Sequence, residues 1–151
     1  MKQKELLIAT RNRKKLEEIK DLLKDLPYNI TSLDDYPDMP EIEEDGATFS
    51  ANALKKAATI ALFTKKLTMG EDSGLEVKAL NNEPGIYSAR FSGPGATDAK
   101  NNTKLLKMLK KVPLKKRQAR YRCFVALVDG RKIVDVVSGN CSGVIDLKLK
   151  G

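Results

Sequence analysis

A mixed α/β fold is what this sequence predicts, and three observations carry the expectation. Short apolar runs close on polar turns, two longer stretches place apolar residues at helical spacing, and a clean two-residue alternation near the C-terminus brackets a hairpin turn. In chain order, Glu5–Ala9 reads as a strand closed by Thr10-Arg11-Asn12, and Leu16, Ile19, Leu22, Leu23 and Leu26 then recur as one face of a helix. Tyr28–Leu33 reads as a second strand, and the acid-rich segment with Pro37 and Pro40 as loop. Thr48 is placed to cap a helix ending near Lys66, whose buried stripe is Phe49, Ala53, Ala57, Ile60 and Ala61. Leu67–Met69 predicts a short strand delivering Gly70-Glu71-Asp72-Ser73-Gly74 as a turn at its end, with a second strand over Leu75–Leu80. Asn81–Gly95 is loop by its Gly, Pro, Asn and Ser content; Thr97-Asp98 opens a helix with Leu105, Leu106, Leu109 and Val112 inward, and Pro113 marks its exit. Ala119–Val128 and Arg131–Val137 flank the hairpin turn Asp129-Gly130, and Val144–Leu149 alternates as a last strand.

Length and composition bound the function. A chain of 151 residues with 41% hydrophobic residues predicts one globular domain over residues 1–151. No apolar run approaches the roughly 20 residues that cross a bilayer, and the start is too short for a signal peptide, so a cytoplasmic protein is expected. Cys123 and Cys141 are too far apart for a CxxC site and are expected as buried thiols. There is no histidine. That excludes histidine triads, imidazole acid–base chemistry and histidine-based zinc sites, so any metal is hard and held by oxygen.

Charge is unevenly spread. The chain carries 28 Lys and Arg against 20 Asp and Glu, a formal charge of +8. Seven carboxylates and no base lie between Asp34 and Asp45, whereas Lys100–Arg122 holds ten bases and no acid. Each run also fits plain solvated surface; an anionic ligand is the functional alternative. Nucleic acid is disfavoured as that ligand, because Leu105, Leu106 and Leu109 share the basic stretch and aromatic residues for base stacking are few there.

Three constellations could carry chemistry. Thr10-x-Asn12-x-x-Lys15 lies between a strand and a helix, where backbone N–H groups, the helix dipole and an ammonium favour an anion. It lacks Walker-A glycines, and it fits a simple helix cap as well. Glu44 and the Glu71-Asp72-Ser73-Gly74 segment could hold magnesium with substrate phosphates, a carboxylate taking the proton from an attacking water, or could be an ordinary turn. Lys56, one helical turn beyond Asn52, and Arg90 in Ser88-Ala89-Arg90 could each meet a phosphate, or be solvated.

Together these segments resemble the inosine triphosphate pyrophosphatase family, enzymes that remove non-standard purine nucleotides. The likeness lies in Ala9-Thr10-Arg11-Asn12-Arg13-Lys14-Lys15, in Glu44-Asp45-Gly46-Ala47-Thr48-Phe49 with Lys56, in Glu71-Asp72-Ser73-Gly74-Leu75-Glu76-Val77, in Pro84-Gly85-Ile86-Tyr87-Ser88-Ala89-Arg90-Phe91, and in Ala96-Thr97-Asp98. Five segments in the family's order are specific where one would not be. The resemblance implies hydrolysis of ITP, XTP or dITP to the monophosphate and pyrophosphate, with Mg2+ as cofactor. It implies Asp72 as general base and metal ligand, Glu44 as second metal ligand, and Thr10, Asn12, Lys15, Lys56 and Ser73 as substrate contacts, beside Arg90. It further implies a two-lobed α/β fold with the site between the lobes, and a homodimer.

The chain departs from the family's pattern at Ala51, where the family commonly has Glu, and at Glu71-Asp72, where it has an Asp pair. Family members also continue for several tens of residues through a Phe-Gly-Tyr-Asp-Pro-like segment and a terminal Ser-His-Arg that hold the base. Gly151 thus reads as a truncation point, with relaxed base choice, reduced turnover and an open last strand able to pair with another copy as expectations. The alternative function is a triphosphate-binding, dimerising remnant without turnover.

Overall fold

The computed structural model describes residues 4–150. Residues 1–3 and Gly151, on which the readings of the chain's start and of a truncation point partly fall, lie outside the described residues. The strands are β1 (Lys4–Ile8), β2 (Tyr28–Ser32), β3 (Leu67–Val77), β4 (Glu83–Pro84), β5 (Gln118–Asp129) and β6 (Lys132–Val144); the helices are α1 (Arg13–Leu22), α2 (Phe49–Thr64) and α3 (Asp98–Met108). Strand order is β2-β1-β3-β5-β6, with β4 on β3. The sheet is mixed: β1 runs parallel to β2 and β3, and β4 is antiparallel to β3. The α/β expectation therefore holds.

The chain divides into two compact units. The first takes the chain up to Asp72 together with Phe124–Val137, and the second takes Ser73–Cys123 together with the chain from Ser138 on.

In the first unit β1 is buried on both faces, as a central parallel strand must be. Leu7 packs with Ala9, Leu33, Met39 and Ile60 on one side, while Leu6 and Ile8 pack with Leu16 on the other. Helix α2 forms as its sequence dictates: the Thr48 hydroxyl accepts the Ala51 N–H at 3.1 Å, and Phe49, Ala53, Ala57, Ile60 and Ala61 are all buried. Its alanine face lies on Ala126 and Val128, and Phe49 stacks on Phe124 at 5.9 Å. Helix α1 is shorter than its apolar repeat predicts. It ends at Leu22, and Leu22 and Leu26 are exposed, so the inward face is Leu16 with Ile19 and Leu23.

The segment Gly70–Gly74 is not a turn. It lies inside the eleven-residue strand β3, so the two expected short strands are one. Gly70 is there for space: a Cβ would stand 2.2 Å from the Ala53 carbonyl oxygen and 2.8 Å from the Ala57 nitrogen. The glycine thus marks a helix backbone pressed on the strand rather than a chain reversal.

In the second unit Val77, Leu105, Leu109 and Ala119 form the core, supported by Leu75, Leu80, Phe91, Val112 and Ile145. Helix α3 is capped by Thr97, as expected. The segment read as loop contains β4 and a 3-10 turn over Gly85–Arg90. The hairpin between β5 and β6, whose tip belongs to the first unit, turns on Gly130-Arg131, one residue later than expected, with Gly130 at φ 59°. Strand β6 continues through Ser138–Val144, and among the described residues no separate strand follows it; Ile145 is instead tied by its N–H to the Arg117 carbonyl at 2.9 Å. Arg117, expected on a solvated basic face, is buried at 3% exposure and donates to the carbonyls of Leu109 (2.7 Å), Val112 (2.9 Å) and Asp146 (2.9 Å). Neither cysteine is disulfide-bonded; Cys141 is exposed and Cys123 half-buried, against the expectation of two buried thiols. Among the described residues no helix is long and apolar enough to cross a membrane.

Candidate functional site

The site of the first unit begins where β1 ends. The Ala9 N–H bonds the Met69 carbonyl at 2.8 Å, which sets the turn after β1 beside the part of β3 that carries Glu71. Asn12 caps α1, its Oδ1 accepting the N–H of Lys14 at 3.0 Å and of Lys15 at 3.2 Å, and the Thr10 hydroxyl accepts the Asn12 N–H at 3.0 Å. The capping alternative is thus realised in Asn12, and it places the positive end of the helix dipole at the same spot. Lys15 reaches Glu71 at 2.8 Å. Arg11 donates to the Met39 carbonyl at 3.1 Å.

A cavity of about 280 Å3 opens here, lined by Thr10, Asn12, Lys15, Glu44, Lys56 and Glu71 among others. It is at the small end of ligand pockets, which run from roughly 300 Å3 upward, a size suited to phosphate groups. Six residues named from the sequence meet in it: the five expected to bind substrate or metal, and Glu71 of the carboxylate segment.

Asp72 does not line the cavity. Successive strand residues face opposite sides, so its side chain points away from that of Glu71, and it is 7% exposed. Asn52 Nδ2 donates to its Oδ2 at 3.2 Å. Burial pushes the Asp72 carboxyl above the usual carboxylate range, the neighbouring Glu44 and Glu71 push the same way, and Lys56 and the Asn52 hydrogen bond oppose them. Lys56 stands between these groups: its ammonium pairs with Glu44 and donates to the Glu71 carbonyl at 3.0 Å.

Ser73 and Arg90 belong to the second unit. The Ser73 hydroxyl shares a 2.7 Å hydrogen bond with the Tyr121 hydroxyl, and the Arg90 guanidinium lies 5.3 Å from the Tyr87 ring centroid. Sequence reasoning did not single out Asn52 or Tyr121. The small-residue stripe of α2 does contain the signal for Asn52: an amide one turn before Lys56 on the helix flank, which reads as surface until the fold buries it.

Among the described residues no group of three or more His, Cys, Asp and Glu is arranged to hold a metal ion alone. The donors that are present still suit a hard cation. Glu44 and Asp72 offer carboxylate oxygens close enough to repel one another, and magnesium commonly takes only one or two carboxylates, substrate phosphates and water completing its shell.

Fold and site together define an α/β protein in which a cationic helix start and a set of carboxylates share one phosphate-sized cavity. The model of the Ham1 family matches residues 6–151. A dITP/XTP pyrophosphatase of Desulforamulus reducens is 46% identical over 146 residues, 97% of this chain and 73% of the relative. One from Geobacter sulfurreducens is 49% identical over 140 residues, 93% of this chain and 70% of the relative. The solved structure of a HAM1 protein from Coxiella burnetii superposes with a TM-score of 0.89 at 34% identity, covering 98% of this chain and 76% of that one. The Staphylococcus aureus Ham1 protein gives 0.86 at 36% identity, with 98% and 75% covered. This chain belongs to the Ham1 family.

Proposed function

We propose that this protein hydrolyses non-standard purine nucleoside triphosphates, ITP, XTP and dITP, to the nucleoside monophosphate and pyrophosphate. The observation that carries the reading is the shared cavity of Thr10, Asn12, Lys15, Glu44, Lys56 and Glu71 beside buried Asp72, in a chain whose relatives at 46% and 49% identity are dITP/XTP pyrophosphatases.

The residues divide the work by chemistry. Thr10, Asn12 and Lys15 at the start of α1 bind phosphate oxygens, the helix dipole adding to their donors. Lys56 neutralises charge between the carboxylates and the phosphates, and Ser73 and Arg90 are further substrate contacts. Asp72 is the general base. It takes a proton from water as the water oxygen bonds to the α-phosphorus and the bridging bond to the β-phosphate breaks, so that pyrophosphate leaves. Glu44 and Asp72 would hold Mg2+, which when bound supplies positive charge to polarise the phosphoryl oxygens. In this reading residues 1–151 act as a single catalytic domain, cytoplasmic and homodimeric. A lobe that binds triphosphate without cleaving it is the competing reading, and the names of the relatives weigh against it.

The test is Mg2+-dependent pyrophosphate release from ITP, XTP, GTP and ATP by the whole chain, with Asp72→Asn as control. Release from ITP or XTP that the control abolishes is the expected result. A folded sample that binds ITP and releases nothing overturns the reading.

A further inference from the structure

Helix α2 presents two side chains to the site, Asn52 and Lys56, spaced i and i+4 and hence on one face. Each makes one bond to the 44–46 segment and one to β3. Lys56 pairs with Glu44 and donates to the Glu71 carbonyl. Asn52 Oδ1 accepts the Gly46 N–H at 2.7 Å, and its Nδ2 donates to Asp72 at 3.2 Å. Only Lys56 carries charge and faces the cavity. Asn52 is fully buried at 0% exposure.

The amide has a fixed direction. A backbone N–H can only donate, so the Gly46 contact requires the oxygen end and leaves the NH2 end for Asp72. A buried amide is stable here because both ends are used; an unmade bond would leave a desolvated polar group. The contact is also tight on the other side. A Cβ on Gly46 would stand 2.6 Å from Asn52 Oδ1, 3.0 Å from Ala51 Cβ and 3.3 Å from Asn52 Cγ.

We infer that Asn52 is a positioning residue: one uncharged, buried amide holds Asp72 and the Glu44–Gly46 segment in a single frame, so that base and carboxylate reach the phosphates in register. The inference rests on the hydrolytic reading above for its kinetic consequence and on geometry alone for the rest. Misplacing a catalytic group by about 1 Å can cost on the order of 100-fold in rate without weakening substrate binding.

The experiment combines three variants. Asn52→Ala is expected to lower kcat for ITP by roughly 10- to 100-fold while KM moves by no more than about threefold. Gly46→Ala reaches the same amide from outside and is expected to show the same split. In the double variant the new methyl no longer meets Asn52, although Ala51 Cβ still stands 3.0 Å from it, so the combined loss is expected to fall short of the sum of the two single losses. Additive losses, or Asn52→Ala with undiminished kcat, overturn the inference. Thermal melting of each variant separates lost positioning from lost folding. A second readout needs no turnover: hydrogen exchange of the Gly46 amide, expected to speed up in Asn52→Ala. Unchanged exchange in Asn52→Ala overturns the inference even if the chain proves inactive. Absent wild-type turnover with faster exchange in that variant would sink the hydrolytic reading and leave the amide frame standing.

Discussion

Among the described residues each compact unit buries one charged side chain, and the two are treated in opposite ways. Arg117, in the second unit, spends its guanidinium on three carbonyl oxygens, each within 2.9 Å, and so is a staple joining the end of α3 to the segment after β6. Asp72, in the first, is held by the Asn52 amide, feels two other carboxylates, and has its ionised form disfavoured by burial. Burial alone therefore says little about role. A charge saturated by fixed dipoles holds structure, whereas one whose ionised form burial disfavours, with Lys56 opposing Glu44 and Glu71 around it, is a candidate to exchange a proton.

Substituting the two charges is the sharpest way to break this contrast. Asp72→Asn should cost turnover on the order of 100- to 10,000-fold, read as pyrophosphate release. Its effect on stability should have the other sign. A carboxyl whose pKa is raised on folding favours the folded state fully at pH below the unfolded value and loses that contribution as pH rises through the folded one. The metal-free Asp72→Asn protein should hence melt higher than wild type at neutral pH, and the gap should close in strong acid. A variant that melts lower at neutral pH would show Asp72 to be a staple too.

Arg117→Met should do the reverse, lowering stability by roughly 2–4 kcal/mol because buried carbonyls lose charged donors, as urea unfolding would show. The kcat of the remaining folded enzyme should hold. A large fall in kcat at full stability would remove the distinction between the units.

Gly70→Ala comes next, at about 1–3 kcal/mol, since the added methyl meets helix backbone and not a movable side chain. Lys56→Met is the finest probe. Lys56 lowers the Asp72 pKa, so its removal should move the acid limb of the pH–rate profile to higher pH, and an unmoved limb would show that the ammonium does not act on Asp72.

How much of this was legible depends on whether the cause was local. Helix α2 was, since the Thr48 hydroxyl and the alanine stripe are signals written within one element. The turn of Thr10, Asn12 and Lys15 was legible for the same reason: strand, cap and helix start are neighbours in the chain. The course of β3 was not, because Gly70 answers to Ala53 and Ala57 on another element and looks like a turn residue in isolation. Nor was the burial of Arg117, one base in a run of ten, whose carbonyl partners become neighbours only when α3 and the segment after β6 come together. Asn52 fell between these cases: its position on the helix was readable, but its two partners lie at opposite ends of a loop and a strand. The glycine and serine content of Ser138–Val144 hid the second half of β6, which pairing, and not side-chain pattern, makes a strand.

The missing methyl at Gly70 has a mechanical consequence. With helix and strand backbones touching there, α2 and the adjoining stretch of β3 move as one stiff body, and Asp72, two residues along, travels with it. Asn52 and Lys56 rise from that same body, so the Glu44–Gly46 segment that they bond is set against Asp72 by packed backbone and not by side chains alone.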